Sequence, residues 1–538
     1  MDSKNWQAEE MTIAKFHKLL RIDPTIGPDL VTTYLSAINQ NDTTLKALIT
    51  TNPSALQIAK DKVHETTTHN KTNTPYPSLH SIPIILKDNI TTATQPTSAG
   101  VLALKTLTTK SNSIVVSKLL AAGAIILAKA NLHEFALQGT TLSSLGGQTL
   151  NPHDLTRTPG GSSGGTGAAL AANFGLAGCG TDTMNSLRSP ASACGIVGFR
   201  PSTGQVSSVG IVPVSRTQDT AGPMGRCVAD VRVLYEVMKG MEGEGEGDLA
   251  AVKRGSRRGG EIRIGVLEEY FQPEKQMQGD ADADIKAEYL AENKMVQDIV
   301  RGSLDMIQDS DEDIVLVPIH PSSHPDWSIE TLLSKADTQA FEFKECLDEF
   351  LQSDLIESTP HRCLESIVQS GEFEAQAMTH VFSAALEDSE MFSTSSDAYR
   401  SRMEYIAALK VAVEECFDKY DIDALAYPHQ RQLAVKIGAT KQPGRNGVLA
   451  ALTGRPAICI PGKRFSVLFV CQEANSETTA GRSCKTASAV QGVPIGLELM
   501  GRRWEDDGLL DVAERAERIL HLKSRENHLS CDEQLENK

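Results

Sequence analysis

The sequence predicts an α/β protein built on a parallel or mixed sheet, and three observations carry that prediction. Ile82-Pro83-Ile84-Ile85-Leu86 is a short β-branched run, entered through proline and left through Lys87-Asp88-Asn89, fit for a strand buried on both faces. A helical stretch ending at Gly123 leads into Ala124-Ile125-Ile126-Leu127-Ala128, which is a βα alternation. Strand-like runs return at 421–427, 457–461 and 494–500, ahead of a closing amphipathic helix over 505–520.

The remaining elements follow from local pattern. Apolar residues recur at helical spacing from Thr12 to about Val63, which predicts helices before the first strand. Residues 158–225 are dense in Gly, Ser, Thr and Pro around apolar runs such as Ala168 to Ala172, the signature of tight turns wrapped around buried elements. Gly240 to Gly260 is low in complexity and polar, and is expected to be a mobile surface loop. From about Asp280 to Tyr420 helical periodicity and charge dominate, an insertion expected to cover the sheet.

Composition limits the function. With 538 residues the chain exceeds one ordinary core, so several domains or one large unit with insertions is expected. Lys and Arg number 52 against 69 Asp and Glu, a net charge of −17 that repels phosphate backbones and excludes nucleic acid as the expected partner. Hydrophobic residues at 40% with 22% charged are enough for a buried core. No secretory pattern opens the chain, and no apolar stretch approaches the roughly 18 residues of a membrane span, so a cytoplasmic protein is expected. The ten cysteines show no CxxC and no zinc-ligand spacing, which predicts free thiols and no structural metal; no cofactor is implied.

Chemistry concentrates around Gly160-Gly161-Ser162-Ser163-Gly164-Gly165-Thr166-Gly167. A Walker loop needs Gly-Lys-Ser/Thr and a dinucleotide fingerprint needs GxGxxG after a strand; neither is present. Gly160 to Gly164 satisfies G-x-S-x-G, but the preceding residues 151–159 are no strand, against a nucleophile elbow. A plain Gly/Ser linker is the competing reading for an isolated run. This run is not isolated: Cys179 to Pro190 brings a second serine, Ser186, and Lys87 lies upstream at a strand end.

Here the sequence resembles the amidase signature family. The matching stretches are Leu79 to Asn89, Gly123 to Phe135, Gly146 to Gln148, Arg157 to Gly165, Gly180 to Pro190, Gly195 to Pro201, Gln218 to Met224 and Gly492 to Trp504. The resemblance implies a mixed sheet covered on both faces by helices, with a helical insertion. It divides one domain into N-terminal helices (1–75), a catalytic core (76–240), a variable, mostly helical region over the substrate (241–440) and a return to the sheet with a closing helix (441–525). It also implies a Ser-Ser-Lys set that hydrolyses carboxamides: Ser186 as nucleophile, Ser162 as bridging serine after a cis peptide at Gly161, and Lys87 as base. Asp182 and Ser163 would support the site, and the backbone N–H groups of Thr183, Met184, Asn185 and Ser186 would form an oxyanion hole. The substrate class implied is a small-molecule or peptide carboxamide, with peptide amidases and general amidases the nearest in motif detail. A homo-oligomer is left open. Two other readings are a glutaminase-type subunit of an amidotransferase complex and a catalytically impaired binding protein.

The chemistry is coherent. A serine hydroxyl needs a neutral base, and a free lysine, at about 10.4, is charged at neutral pH. Lys87 must therefore be desolvated, and its place directly after Ile84-Ile85-Leu86 suits this. Two features depart from the family pattern. Thr183-Met184-Asn185-Ser186 stands where many members have Thr-Gly-Gly-Ser, which leaves the oxyanion turn open only if Met184 has a negative φ. Residues 463–488 read as an insertion, either a real loop or translated intron sequence.

Overall fold

Every residue of Pro83–Lys87 is buried, because the strand is flanked by parallel neighbours on both edges and carries apolar side chains to both faces. The computed structural model describes residues 8, 11–240, 260–273, 283–375, 386, 391–462 and 492–536; the polar stretch after Gly240 and the segment 463–488 lie outside them, apart from Gly240 and Gly260 at the rim of the first. In chain order the strands of the main sheet are Leu48–Thr51 (β1), Pro83–Lys87 (β2), Ile125–Ala130 (β3), Ala177–Asp182 (β4), Val197–Arg200 (β5) and Thr220–Gly225 (β6). Ile262–Leu267 (β7), Ile314–Ile319 (β8), Ala424–Pro428 (β9), Ala457–Pro461 (β10) and Gly496–Gly501 (β11) complete it. They lie side by side as β1-β3-β2-β4-β6-β5-β10-β11-β9-β7-β8, an 11-stranded sheet.

The sheet is mixed, as the resemblance implied. β3, β2 and β4 run parallel at one side, and β9, β7 and β8 run parallel at the other. The strands between them pair antiparallel. The predicted closing helix forms and is longer than its periodicity suggested, Asp506–Glu536. Among the described residues no helix is long and apolar enough to cross a membrane.

Six of the eleven strands were not legible in the pattern: β4, β5 and β6 lie in the Gly-, Ser-, Thr- and Pro-rich stretch read as turns around buried elements, and β1, β7 and β8 lie elsewhere. β1 is four residues between two long helices, too short for an alternation to register. β7 and β8 lie in the region expected to be mostly helical and extend the sheet there by parallel pairing. Both are β-branched runs, but long helical periodicity follows each of them. Pro318 is tolerated because β8 is the edge strand, where a missing N–H breaks no inner ladder.

This topology gathers the candidate residues at strand ends. Lys87 closes β2 and Asp182 closes the adjacent parallel β4. Ser162 and Ser163 precede helix Gly164–Ala171, and Ser186 lies between β4 and helix Arg188–Cys194. A crevice at the carboxyl ends of parallel strands is where α/β sheets place their ligands.

Candidate active site

The Gly/Ser run is a packing device and not a linker. Gly160 has φ +71°, and a Cβ there would sit 2.8 Å from the Ser189 carbonyl oxygen. At Gly165 a Cβ would fall 2.0 Å from the Asn131 carbonyl oxygen, so only glycine lets the helix approach this closely. The Gly161–Ser162 peptide is cis. The Ser162 carbonyl accepts the His133 N–H at 3.1 Å, and the Ser163 N–H donates to the Ser186 carbonyl at 3.2 Å. The two serine-bearing turns are thus in backbone contact.

Lys87 is fully buried. Its Nζ lies 2.7 Å from Ser162 Oγ, 2.8 Å from Thr181 Oγ1 and 3.3 Å from the Thr181 carbonyl. Burial brings the amine down to about 7, against the upward pull of Asp182 and Asp219. A neutral amine has two N–H bonds and one lone pair; with both Thr181 oxygens taking the N–H groups, the lone pair faces the Ser162 hydroxyl. Asn89 Nδ2 donates to Thr181 Oγ1 at 3.0 Å and holds that hydroxyl in place.

Asp182 fixes the turn that follows it. Its carboxylate accepts the Leu187 N–H at 3.1 Å and Arg188 Nε at 3.1 Å, and Arg200 Nη1 reaches its other oxygen at 2.9 Å. Burial opposes its charge, but the two guanidinium groups outweigh burial and hold the carboxyl well below the usual carboxylate range. Arg188 also donates to the Met184 carbonyl at 2.6 Å, to the Gly447 carbonyl at 2.8 Å and to Glu498 on β11. Glu498 in turn contacts His429 Nδ1 at 2.6 Å and accepts Tyr427 Oη at 3.0 Å. Charges buried this deeply persist because each is paired and hydrogen-bonded.

The turn itself is open. Among the described residues the backbone N–H groups of Thr183, Met184, Asn185 and Ser186 donate to no protein acceptor. Neither Met184 nor Asn185 is among the non-glycine residues with positive φ, so the side chains that replace glycine here do not strain the backbone. The Met184 side chain turns into an apolar cluster, and its Sδ accepts Gln218 Nε2 at 3.3 Å. Gln218 Oε1 accepts the Thr338 N–H at 3.1 Å and its hydroxyl at 2.6 Å, tying the turn to the helical insertion. Thr183 Oγ1 donates to Asp219 at 2.6 Å.

The structure therefore brings Lys87, Ser162, Ser163, Asp182 and the 183–186 turn together. Sequence reasoning missed Thr181, Asn89, Arg188, Arg200, Gln218 and Glu498. Asn89 lies in the turn that leaves β2, closed by the Ile90 N–H on the Lys87 carbonyl at 3.0 Å, and strand periodicity does not reach it. No signal existed for Glu498, 310 residues from its partner Arg188.

Comparison with known proteins gives the arrangement its context. A glutamyl-tRNA(Gln) amidotransferase subunit of Thermoanaerobacter pseudethanolicus is 28% identical over 524 residues, covering 94% of this chain and 95% of that protein. The subunit of the same name from Trichormus variabilis is 40% identical over 201 residues, 36% of this chain and 41% of that protein. Native peptide amidase from Stenotrophomonas maltophilia superposes with a TM-score of 0.73 at 26% identity, covering 95% of this chain and 97% of that chain. The Amidase family model matches residues 29–305. With the motifs, the mixed sheet and this match in agreement, the chain belongs to the amidase signature family.

Proposed function

We propose that this protein hydrolyses carboxamide C–N bonds through a serine acyl-enzyme, with Lys87, Ser162 and Ser186 as its catalytic set. The observation that carries this is the neutral-range Lys87 amine at 2.7 Å from Ser162 Oγ, with its other contacts taken by Thr181. In the first step Ser186 Oγ attacks the amide carbonyl carbon. Its proton passes to Ser162 Oγ as the Ser162 proton passes to Lys87 Nζ. The negative charge that forms on the carbonyl oxygen meets the open N–H groups of residues 183–186, where one well-aimed donor is worth roughly 10²- to 10³-fold in rate.

The C–N bond then breaks with proton delivery to the departing nitrogen, from Lys87 through Ser162, because an amine anion does not leave. Ammonia or an amine departs and an ester on Ser186 remains. Water attacks that ester, giving its proton to the same relay, and the acid product leaves with Ser186 restored. Ser163 supports this set by donating from its hydroxyl to the Thr181 carbonyl at 3.1 Å, and Asp182 by holding the turn. The substrate in this reading is a small or peptide carboxamide, supported by the peptide amidase likeness at 26% identity, and the cytoplasm is its compartment. A homo-oligomer belongs to the same reading as an option.

A second reading, an ammonia-supplying subunit of an amidotransferase complex, is favoured by the nearly full-length 28% match to a protein named as such a subunit. It calls for glutamine as substrate and for partner chains. Both readings are tested by fluorophosphonate labelling of wild type, Ser186→Ala and Lys87→Ala, together with ammonia release from peptide amides and glutamine by the lone chain. Labelling lost in both variants and turnover of peptide amides by wild type are expected. A folded wild type that neither labels nor turns over amides contradicts hydrolysis and leaves the non-catalytic binding protein.

A further inference from the structure

Lys410, Glu414 and Asp418 are spaced four residues apart on the helix Asp397–Tyr420, so they stand in one row on its surface. Two arginines meet that row from the sheet. Arg455 precedes β10 and Arg502 follows the antiparallel β11, which brings both to the same sheet edge. Their guanidinium groups lie over the Phe417 ring, 5.1 Å and 5.0 Å from its centre. Glu414 accepts from both, at 2.6 Å from Arg455 Nη2, and Asp418 accepts Arg502 Nη1 at 2.9 Å. Two positions of the row are thus matched, carboxylate to guanidinium. At the third, where the same pattern calls for an acid, the helix carries Lys410.

That end of the cluster has cations without acceptors. Arg455 is 3% exposed, and its Nε and Nη1 are buried with no hydrogen-bond partner among the described residues. Lys410 is half-buried and makes no hydrogen bond or ion pair among the described residues. Burial first, then Arg503 and Arg455, pull its amine below the ordinary lysine range, so both positive charges act on it. Gly454, at φ +68°, turns the chain into Arg455, and a Cβ there would lie 3.9 Å from Arg503 Nε, so the 502–504 turn closes on the same corner. A buried guanidinium and a half-buried ammonium that repel one another are unfavourable without an anion between them.

We propose that Arg455 and Lys410, closed in by the 502–504 turn, form a binding site for a single phosphate group. The unpaired N–H groups of Arg455 diverge, and Lys410 adds a compact point charge. A tetrahedral dianion presents oxygens in several directions and meets both, where a planar carboxylate offers one edge. The net charge of −17 repels an extended polyanion, so the ligand is a free phosphate ion or a small phosphate monoester and not a nucleic-acid backbone. The site is separate from the 183–186 turn. Between them run the Thr203 N–H on the Gly454 carbonyl at 3.2 Å, Arg200 Nη2 on Thr203 Oγ1 at 3.0 Å and Arg200 Nη1 on Asp182 at 2.9 Å.

Calorimetric titration of the full chain with inorganic phosphate, against chloride at equal ionic strength, tests the proposal. One phosphate per chain is expected, bound roughly 10-fold or more tighter than chloride. Lys410→Met is expected to weaken phosphate by roughly 10- to 100-fold, the range of one charged contact. Lys410→Glu supplies the missing acid from within the chain, and is expected to abolish phosphate binding and to raise the melting midpoint above that of phosphate-free wild type. Adenosine monophosphate as competitor separates the sources: displacement of phosphate assigns the site to a phosphate carried on a small molecule, and no displacement assigns it to the free ion. Ser186→Ala is expected to bind phosphate as wild type does, and a loss there would put the ion in the active site and overturn the proposal. Phosphate held no tighter than chloride, or held equally by wild type and Lys410→Met, also overturns it. Should Lys410→Met not fold, undiminished phosphate binding by Lys410→Glu has the same force.

Discussion

Lys87 and Lys129 stand on the adjacent parallel strands β2 and β3, both fully buried, and meet opposite surroundings. Lys129 Nζ lies 2.7 Å from Asp88 Oδ1 and donates to Thr97 Oγ1 at 2.9 Å. Burial lowers both amines, but at Lys129 a carboxylate in direct contact pulls back toward the charged form. At Lys87 the neighbours are hydroxyls and a carbonyl, and the carboxylate of Asp182 is already engaged by Arg188 and Arg200. Equal burial therefore leaves one amine against a carboxylate and the other against hydroxyls and a carbonyl. What decides is whether an acid is in contact.

The sharpest way to break that comparison is to remove each amine in turn. Lys129→Met leaves Asp88 buried without its ion-pair partner, at an expected cost of about 3–5 kcal/mol in stability, while Asp88→Asn in the same chain recovers part of it. Lys87→Met is expected to lower kcat/KM by roughly 10²- to 10⁴-fold with a far smaller loss of stability. The sign follows from linkage: with its folded pKa lowered to about 7, Lys87 costs stability in full below pH 7, and the cost fades as pH rises toward the ordinary lysine range of about 10.4. Lys87→Met is therefore most stabilised relative to wild type in acid. Denaturant midpoints at pH 6 and pH 9, beside steady-state kinetics, separate the two lysines.

A smaller effect is expected where the insertion meets the 183–186 turn. Gln218→Leu removes the contact to Met184 Sδ and to Thr338, about 1 kcal/mol of positioning, and is expected to lower kcat by up to about tenfold with little change in KM. A change in KM alone would mean that the insertion acts on binding and not on the turn.

How much of this was readable beforehand varies with distance along the chain. The β2 strand, the Lys87 position and both serine turns are local patterns, and in the structure Lys87 contacts Ser162 and the two turns share a backbone hydrogen bond. The ring of charges that holds the Ser186 turn was not readable, because Arg188 finds Glu498 and Gly447 only after β11 and the 447 loop pack against it. Met184 and Asn185 looked like a threat to the turn, since the sequence carries residue types and not dihedral angles; the negative φ values remove the threat. The strands β7 and β8 were hidden because β-branched content is outweighed in a window dominated by long helices.

A separate effect is expected on acid stability. His80 and His133 are held near 4 and near 3, in each case first by burial, so the unfolded chain takes up their protons before the folded one does. Stability should fall as pH drops below the ordinary histidine value of about 6.5, by at most about 1.4 kcal/mol per pH unit for His133, and level off near its folded value. Urea midpoints between pH 7 and pH 3 measure this, and His80→Phe should flatten the upper part of the slope.

The central claim is that Lys87 is the neutral base for Ser186, and the pH dependence of fluorophosphonate labelling addresses it without needing the natural substrate. Because only the unprotonated amine can take the proton, the labelling rate of the wild type is expected to be low in acid and to rise through a single step near pH 7 to an alkaline plateau. A labelling rate that stays flat from pH 6 to pH 10 in folded protein would contradict that assignment.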